Sequence, residues 1–176
     1  MSDPVPSKRV HGEAVLDDPL TLELLHARLV AVFATLNRDG TIHAVPMWFA
    51  SHERSILLAT GSRSAKVANI EVESRSTLVI HDSRPGYEVC GVSMIGDAKI
   101  VRGVSARPLV RHVHRRYIDE SRDVPEAVTA FLESDDVAVR FRPHSAFTWD
   151  QRETEANIAL RAAAGALPLV TTDAQT

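Results

Sequence analysis

The chain has 176 residues, 44% of them hydrophobic, and a net charge of −3 at pH 7. That length fits one domain, and the apolar share is ordinary for a globular fold, which argues against a disordered chain. The negative balance argues against a general nucleic-acid binder, and one cysteine, Cys90, leaves no internal disulfide and no multi-cysteine metal site.

Residues 1–16 read as a flexible arm in which Pro4, Pro6, Lys8 and Arg9 interrupt any apolar run. The start lacks the apolar core of a secretory signal, and no run approaches the ~20 apolar residues of a membrane helix. The expectation is a soluble, cytoplasmic protein with no membrane contact. Asp17, Asp18 and Pro19 then open a short helix that sets Leu22, Leu25 and Leu29 on one face.

LVAVFATLN (29–37) reads as a buried strand, and Asn37-Arg38-Asp39-Gly40 as a hairpin turn. TIHAVPMWFA (41–50) returns as a second strand and ILLAT (56–60) is a third. Residues 61–64 break the pattern, and Ser64 is placed to cap a short helix over 65–73. STLVIHD (76–82) is a fourth strand. After a loop at Arg84-Pro85-Gly86, residues 88–101 alternate as one long strand with bends at Gly91 and Gly96.

Leu109, Val110, Val113 and Tyr117 define one helix, and Asp123, Pro125 and Glu126 open another. VAVRFR (137–142) is a strand that Pro143 interrupts before a last strand, SAFTW (145–149). Residues 151–165 read as helical and the Ala-rich end as loose. The strands meander instead of alternating with long helices, which favours a small antiparallel barrel over a doubly wound sheet.

One stretch carries most of the chemical information: Thr60-Gly61-Ser62-Arg63-Ser64-Ala65-Lys66. A strand end meets a helix start there, where free backbone N–H groups and the helix dipole favour an anion. Arg63 and Lys66 add cations; Thr60, Ser62 and Ser64 add hydroxyls. A phosphate ester suits that set. The alternative is a capped surface helix with two solvated charges.

A second candidate is the strand His43–Phe49. Pro46 forfeits a ladder hydrogen bond and so marks an edge or an interrupted position, while Met47 and Trp48 could flank a heteroaromatic ring or simply pack in the core. His112 and His114 stand at i and i+2 on a helix and cannot share a face, so no metal site is expected. Cys90 reads as a small buried apolar residue.

The segments VAVFATLNRDGTIHAVPMWF (30–49), ILLATGSRSAKVANI (56–70), STLVIHD (76–82), MIGDAKIV (94–101) and FRPHSAFTWD (141–150) resemble the pyridoxamine-phosphate-oxidase-like superfamily. The resemblance implies a mainly β (α+β) fold: a six- to seven-stranded antiparallel split β-barrel with short peripheral helices. The barrel would span 17–150, with a C-terminal helix and tail over 151–176. It implies a cofactor site as well: Lys66 matches the phosphate-binding lysine, Ser64 and Arg63 its partners, and Thr60 the strand-end hydroxyl. Val45, Pro46, Met47 and Trp48 match the strand that lines the ring.

Apolar residues fill the places where pyridoxamine-phosphate oxidase itself has cations, and the chain looks more like the F420-dependent branch. The implied function is a redox enzyme that passes a hydride between F420, or FMN as close second, and a small organic substrate, the cofactor lying between two subunits of a homodimer. The alternative is a non-catalytic carrier of flavin, F420 or haem, with His43 and His81 as the only strand histidines that could ligate haem. No catalytic side chain is assigned; Tyr87, His43 and Tyr117 are proton-donor candidates that read first as structural.

Overall fold

The computed structural model describes residues 7–82, 89–119, 126 and 135–164. The strands are β1 (Ser7–His11), β2 (Ala31–Leu36), β3 (Ile42–Met47), β4 (Phe49–His52), β5 (Ser55–Gly61), β6 (Arg75–Asp82), β7 (Cys90–Val101) and β8 (Asp136–Asp150). Among the described residues, four α-helices accompany them: α1 (Pro19–His26), α2 (Ala65–Val72), α3 (Ala106–Arg115) and α4 (Glu155–Ala164). The second helix expected from Asp123 onward, the loop at Arg84–Gly86 with Tyr87, and the tail from 165 onward lie outside the described residues.

Seven strands form one antiparallel curled sheet in the order β3-β2-β6-β7-β8-β5-β4, and β1 joins along the outer half of β8 as an eighth. β3 and β4 are consecutive in the chain yet stand at opposite ends of that order. Trp48 alone lies between them, so the chain crosses from one sheet end to the other in one residue and draws the barrel shut. Among the described residues β3 pairs only with β2, so Pro46 stands on an edge, one of the two places its missing N–H allows.

Alternation fills the interior. Phe33, Leu78, Met94 and Phe141 are fully buried, and Phe33 meets Phe141 edge to face at 6.1 Å and 78°. Asp18 caps α1 by accepting from Thr21 N–H at 3.1 Å, with Pro19 in the first turn, and Leu24 and Leu25 face the core while Leu22 is exposed.

Three expectations need correction. Residues 7–16 are no loose arm: β1 runs antiparallel to β8, Lys8 pairs with the buried Asp18, and Val15 is fully buried. The strand expected over 41–50 divides at Trp48 into β3 and β4. Conversely, the two strands expected on either side of Pro143 are one strand, β8. Its register against β7 slips between Ile95 and Gly96, leaving His144 as the extra residue of a β-bulge. The bulge absorbs the missing proline N–H, and Gly96 opposite it permits the approach. A Cβ at Gly96 would stand 2.2 Å from the Arg142 carbonyl oxygen.

Candidate functional site

β5 ends at Gly61 and α2 begins at Ala65, so three intervening residues join a strand end to a helix start. Three polar side chains converge there. Lys66 Nζ donates to Thr60 Oγ1 at 2.9 Å, and Thr60 Oγ1 donates to Ser64 Oγ at 3.2 Å. Ser64 takes the N-cap position with extended backbone, as its place predicts, but its hydroxyl is drawn to Thr60 and makes no cap bond. The first-turn amides of α2 are therefore left without a side-chain acceptor. Ser62 pins the loop: its hydroxyl donates to Asp135 Oδ2 at 2.5 Å, and its N–H donates to the Asp135 carbonyl at 3.0 Å.

Lys66 is half-buried, and burial pushes its ammonium below the ordinary lysine value, while the Asp136 carboxylate works the other way. Asp136 opens β8 opposite Gly61. On its other side it lies 3.7 Å from Nε2 of the buried His114, whose ring meets Trp48 edge-on at 6.3 Å. Sequence reasoning missed Asp136 and the buried role of His114. Only the β5–β8 ladder and the docking of α3 bring them here, and neither leaves a local signal.

The eight residues singled out by sequence fall into two groups. Thr60, Ser64 and Lys66 are joined by hydrogen bonds, and Arg63 beside them is exposed with no side-chain partner among the described residues. Val45, Pro46 and Met47 lie along β3: Pro46 faces outward, Val45 packs against the core, and Met47 is buried in it. Trp48 and Ala59, the neighbour of Thr60, both pack on the apolar cluster of Ala50, Leu57 and Val113, and one face of Trp48 is covered by Tyr117. His43 is half-buried on β3, and His81 is exposed near the end of β6. His112 turns away from His114, its Nε2 lying 2.9 Å from the Ser51 carbonyl oxygen.

A lysine ammonium has three protons, and Thr60 takes one of them. The remaining protons, the uncapped start of α2 and the exposed Arg63 form a donor set that fits a phosphate group. Among the described residues, the neighbouring carboxylates of Asp136 and Asp135 are engaged with His114 and Ser62.

The sequence model of the pyridoxamine 5'-phosphate oxidase family matches residues 18–150. No curated protein matches by sequence. Among solved structures, a conserved hypothetical protein of Mycobacterium tuberculosis is 25% identical with a TM-score of 0.63, over 74% of this chain and 82% of that one. A structure described as an F420 reductase is 21% identical with a TM-score of 0.55, over 70% and 93% of the two chains. The haem storage protein HutZ of Vibrio cholerae is 13% identical with a TM-score of 0.59, over 76% and 94%. These last two likenesses concern the fold alone.

Proposed function

This chain belongs to the pyridoxamine 5'-phosphate oxidase family, and from that premise we propose that it is a homodimeric redox enzyme holding a phosphorylated flavin or deazaflavin, F420 ahead of FMN. The observation that carries the reading is the hydrogen-bonded trio Thr60–Ser64–Lys66 at the uncapped start of α2. Lys66, with Arg63 and the α2 amides, would hold the cofactor phosphate. Thr60 would fix the lysine and lie beside the chain leading to the ring, and the Val45–Trp48 strip would border the ring. Bound there, the ring would supply hydride transfer to or from a small organic substrate. The protein's own part is to bind and orient: Asp136 opposes the effect of burial on the Lys66 ammonium, and His114 backs Asp136.

The outer face of the sheet supports the dimer. Pro46, Val32, Val79, Ser93 and Phe147 form one cross-strand row from β3 to β8, every one at least partly exposed and none charged. The adjacent row contains Ile95, 47% exposed. Arg9 of β1 bounds this row beyond Phe147, its guanidinium 5.9 Å over that ring, and the uncharged strip between β3 and β8 is what a second subunit covers.

The experiment is an absorbance and fluorescence titration of purified protein with F420 and with FMN, followed by turnover against a substrate panel. Tight binding of one cofactor with turnover supports the reading. Tight binding without turnover supports the carrier reading, and binding of neither contradicts both.

A further inference from the structure

We propose a second anion site, at the end of the barrel remote from Lys66, that takes a small organic oxyanion through Arg142 and His144. The proposal is independent of the cofactor reading.

A groove of about 520 Å³ opens between the Gly12–Leu16 turn, the β4–β5 turn and the bulged part of β8. That volume suits a small ligand. Ser55 lines the groove at the start of β5, and Gly61 ends that strand beside the Lys66 cluster. Six residue steps of extended chain separate the two places by about 20 Å.

Three observations meet in this groove. First, its lining holds three guanidinium groups, Arg54, Arg140 and Arg142, against the carboxylates of Glu13 and Glu53, with the His144 imidazole beside them. Arg54 is committed to Asp17 at 2.7 Å, and Arg140 to Glu53 at 3.2 Å. Arg142 and His144 are exposed and have no side-chain partner among the described residues. Second, the bulge falls at His144, taking it out of the β7–β8 pairing. Bulges re-aim side chains in this way beside functional sites. Third, Glu53 has φ +52°, the only left-handed non-glycine backbone among the described residues. A glycine or asparagine would make this two-residue turn at less cost. The glutamate kept there holds Arg140 along the groove.

Arg140 and Arg142 are two residues apart on one strand and so share a face. One guanidinium is held by a carboxylate, and the other, with a planar fork of donors, is free to take a carboxylate or phosphate bidentately. His144 adds a donor beside it.

Calorimetric titration of the full chain with inorganic phosphate and with succinate, at constant ionic strength, tests the proposal. Saturable binding is expected for at least one probe, and the probe that binds identifies phosphate or carboxylate as the preferred group. It should persist in Lys66→Ala and weaken at least tenfold in Arg142→Gln. Glu53→Gly, which frees Arg140, should tighten binding severalfold. Binding of neither probe, loss of binding in Lys66→Ala, an Arg142→Gln variant that binds as wild type, or weaker binding in Glu53→Gly would each overturn it.

Discussion

Tyr117 lies flat against Trp48, with ring centroids 4.8 Å apart and planes 5° from parallel. The pair sits where the chain crosses between the two ends of the sheet. The Tyr117 hydroxyl donates to the Leu29 carbonyl at 2.6 Å and accepts from Phe49 N–H at 3.2 Å, so one phenol ties the approach to β2 to the first residue of β4. Burial pushes the phenol above its ordinary value, which keeps it a neutral donor. Arg116 adds a guanidinium 4.7 Å over the Phe49 ring. The stacked rings and the shared hydroxyl are the clasp of the barrel.

Tyr117→Phe should keep the stack and lose the hydroxyl, leaving the half-buried Leu29 carbonyl short of a donor. The expected loss is about 1–3 kcal/mol, read as a lower urea midpoint at unchanged m-value. Cofactor affinity should not move. A wild-type midpoint would mean that the hydroxyl clasps nothing.

Asp18 links β1 to α1, and its titration has a definite sign. Burial alone would raise its pKa, but the Lys8 ammonium and the Thr21 donors outweigh burial and hold it below the usual carboxylate value. A depressed carboxylate contributes stability that is present above its unfolded value, near 4, and lost as pH falls through the folded value. Asp18→Ala should therefore destabilise the protein at pH 7 by about 1–2 kcal/mol through the lost cap and pair, with the gap to wild type closing below about pH 4. Urea melts across pH 2–7 check this; a gap that stays constant would remove the ionised carboxylate from the account.

Gly96 allows β7 to pass the bulge of β8. A Cβ there would meet backbone, 2.2 Å from the Arg142 carbonyl oxygen and 2.7 Å from Pro143 Cα, and neither can swing aside as a side chain would. Gly96→Ala should cost about 1–3 kcal/mol or more, measured by denaturant unfolding. A neutral substitution would show that the bulge yields easily.

The sequence made the inner strands legible because alternation and β-branched residues register a buried face directly, as in β2 and β7. Pro46 marked its edge, and the Thr60–Lys66 stretch marked its helix start. β1 was not legible, because Lys8 and Arg9 lie in a strand with no buried face. What holds it is the ladder to β8 and the pair with Asp18, both distant in sequence. Pro143 read as a break because nothing local announced the bulge. The support of Lys66 was equally hidden, since Asp136 and His114 reach it only through tertiary contacts.

Ile95→Glu places a charge beside the uncharged strip of the outer face, at a position already 47% exposed in the single subunit. It should leave subunit folding intact and shift the protein from dimer to monomer, as sedimentation velocity would record. A variant that remains dimeric would move the interface elsewhere.

The most direct test is the cofactor dissociation constant of Lys66→Ala against wild type, by fluorescence titration with F420 and with FMN. If Lys66 grips the phosphate, the loss of one charged hydrogen bond should weaken binding by about 1.5–3 kcal/mol, roughly ten- to a hundredfold. An unchanged dissociation constant would contradict the site.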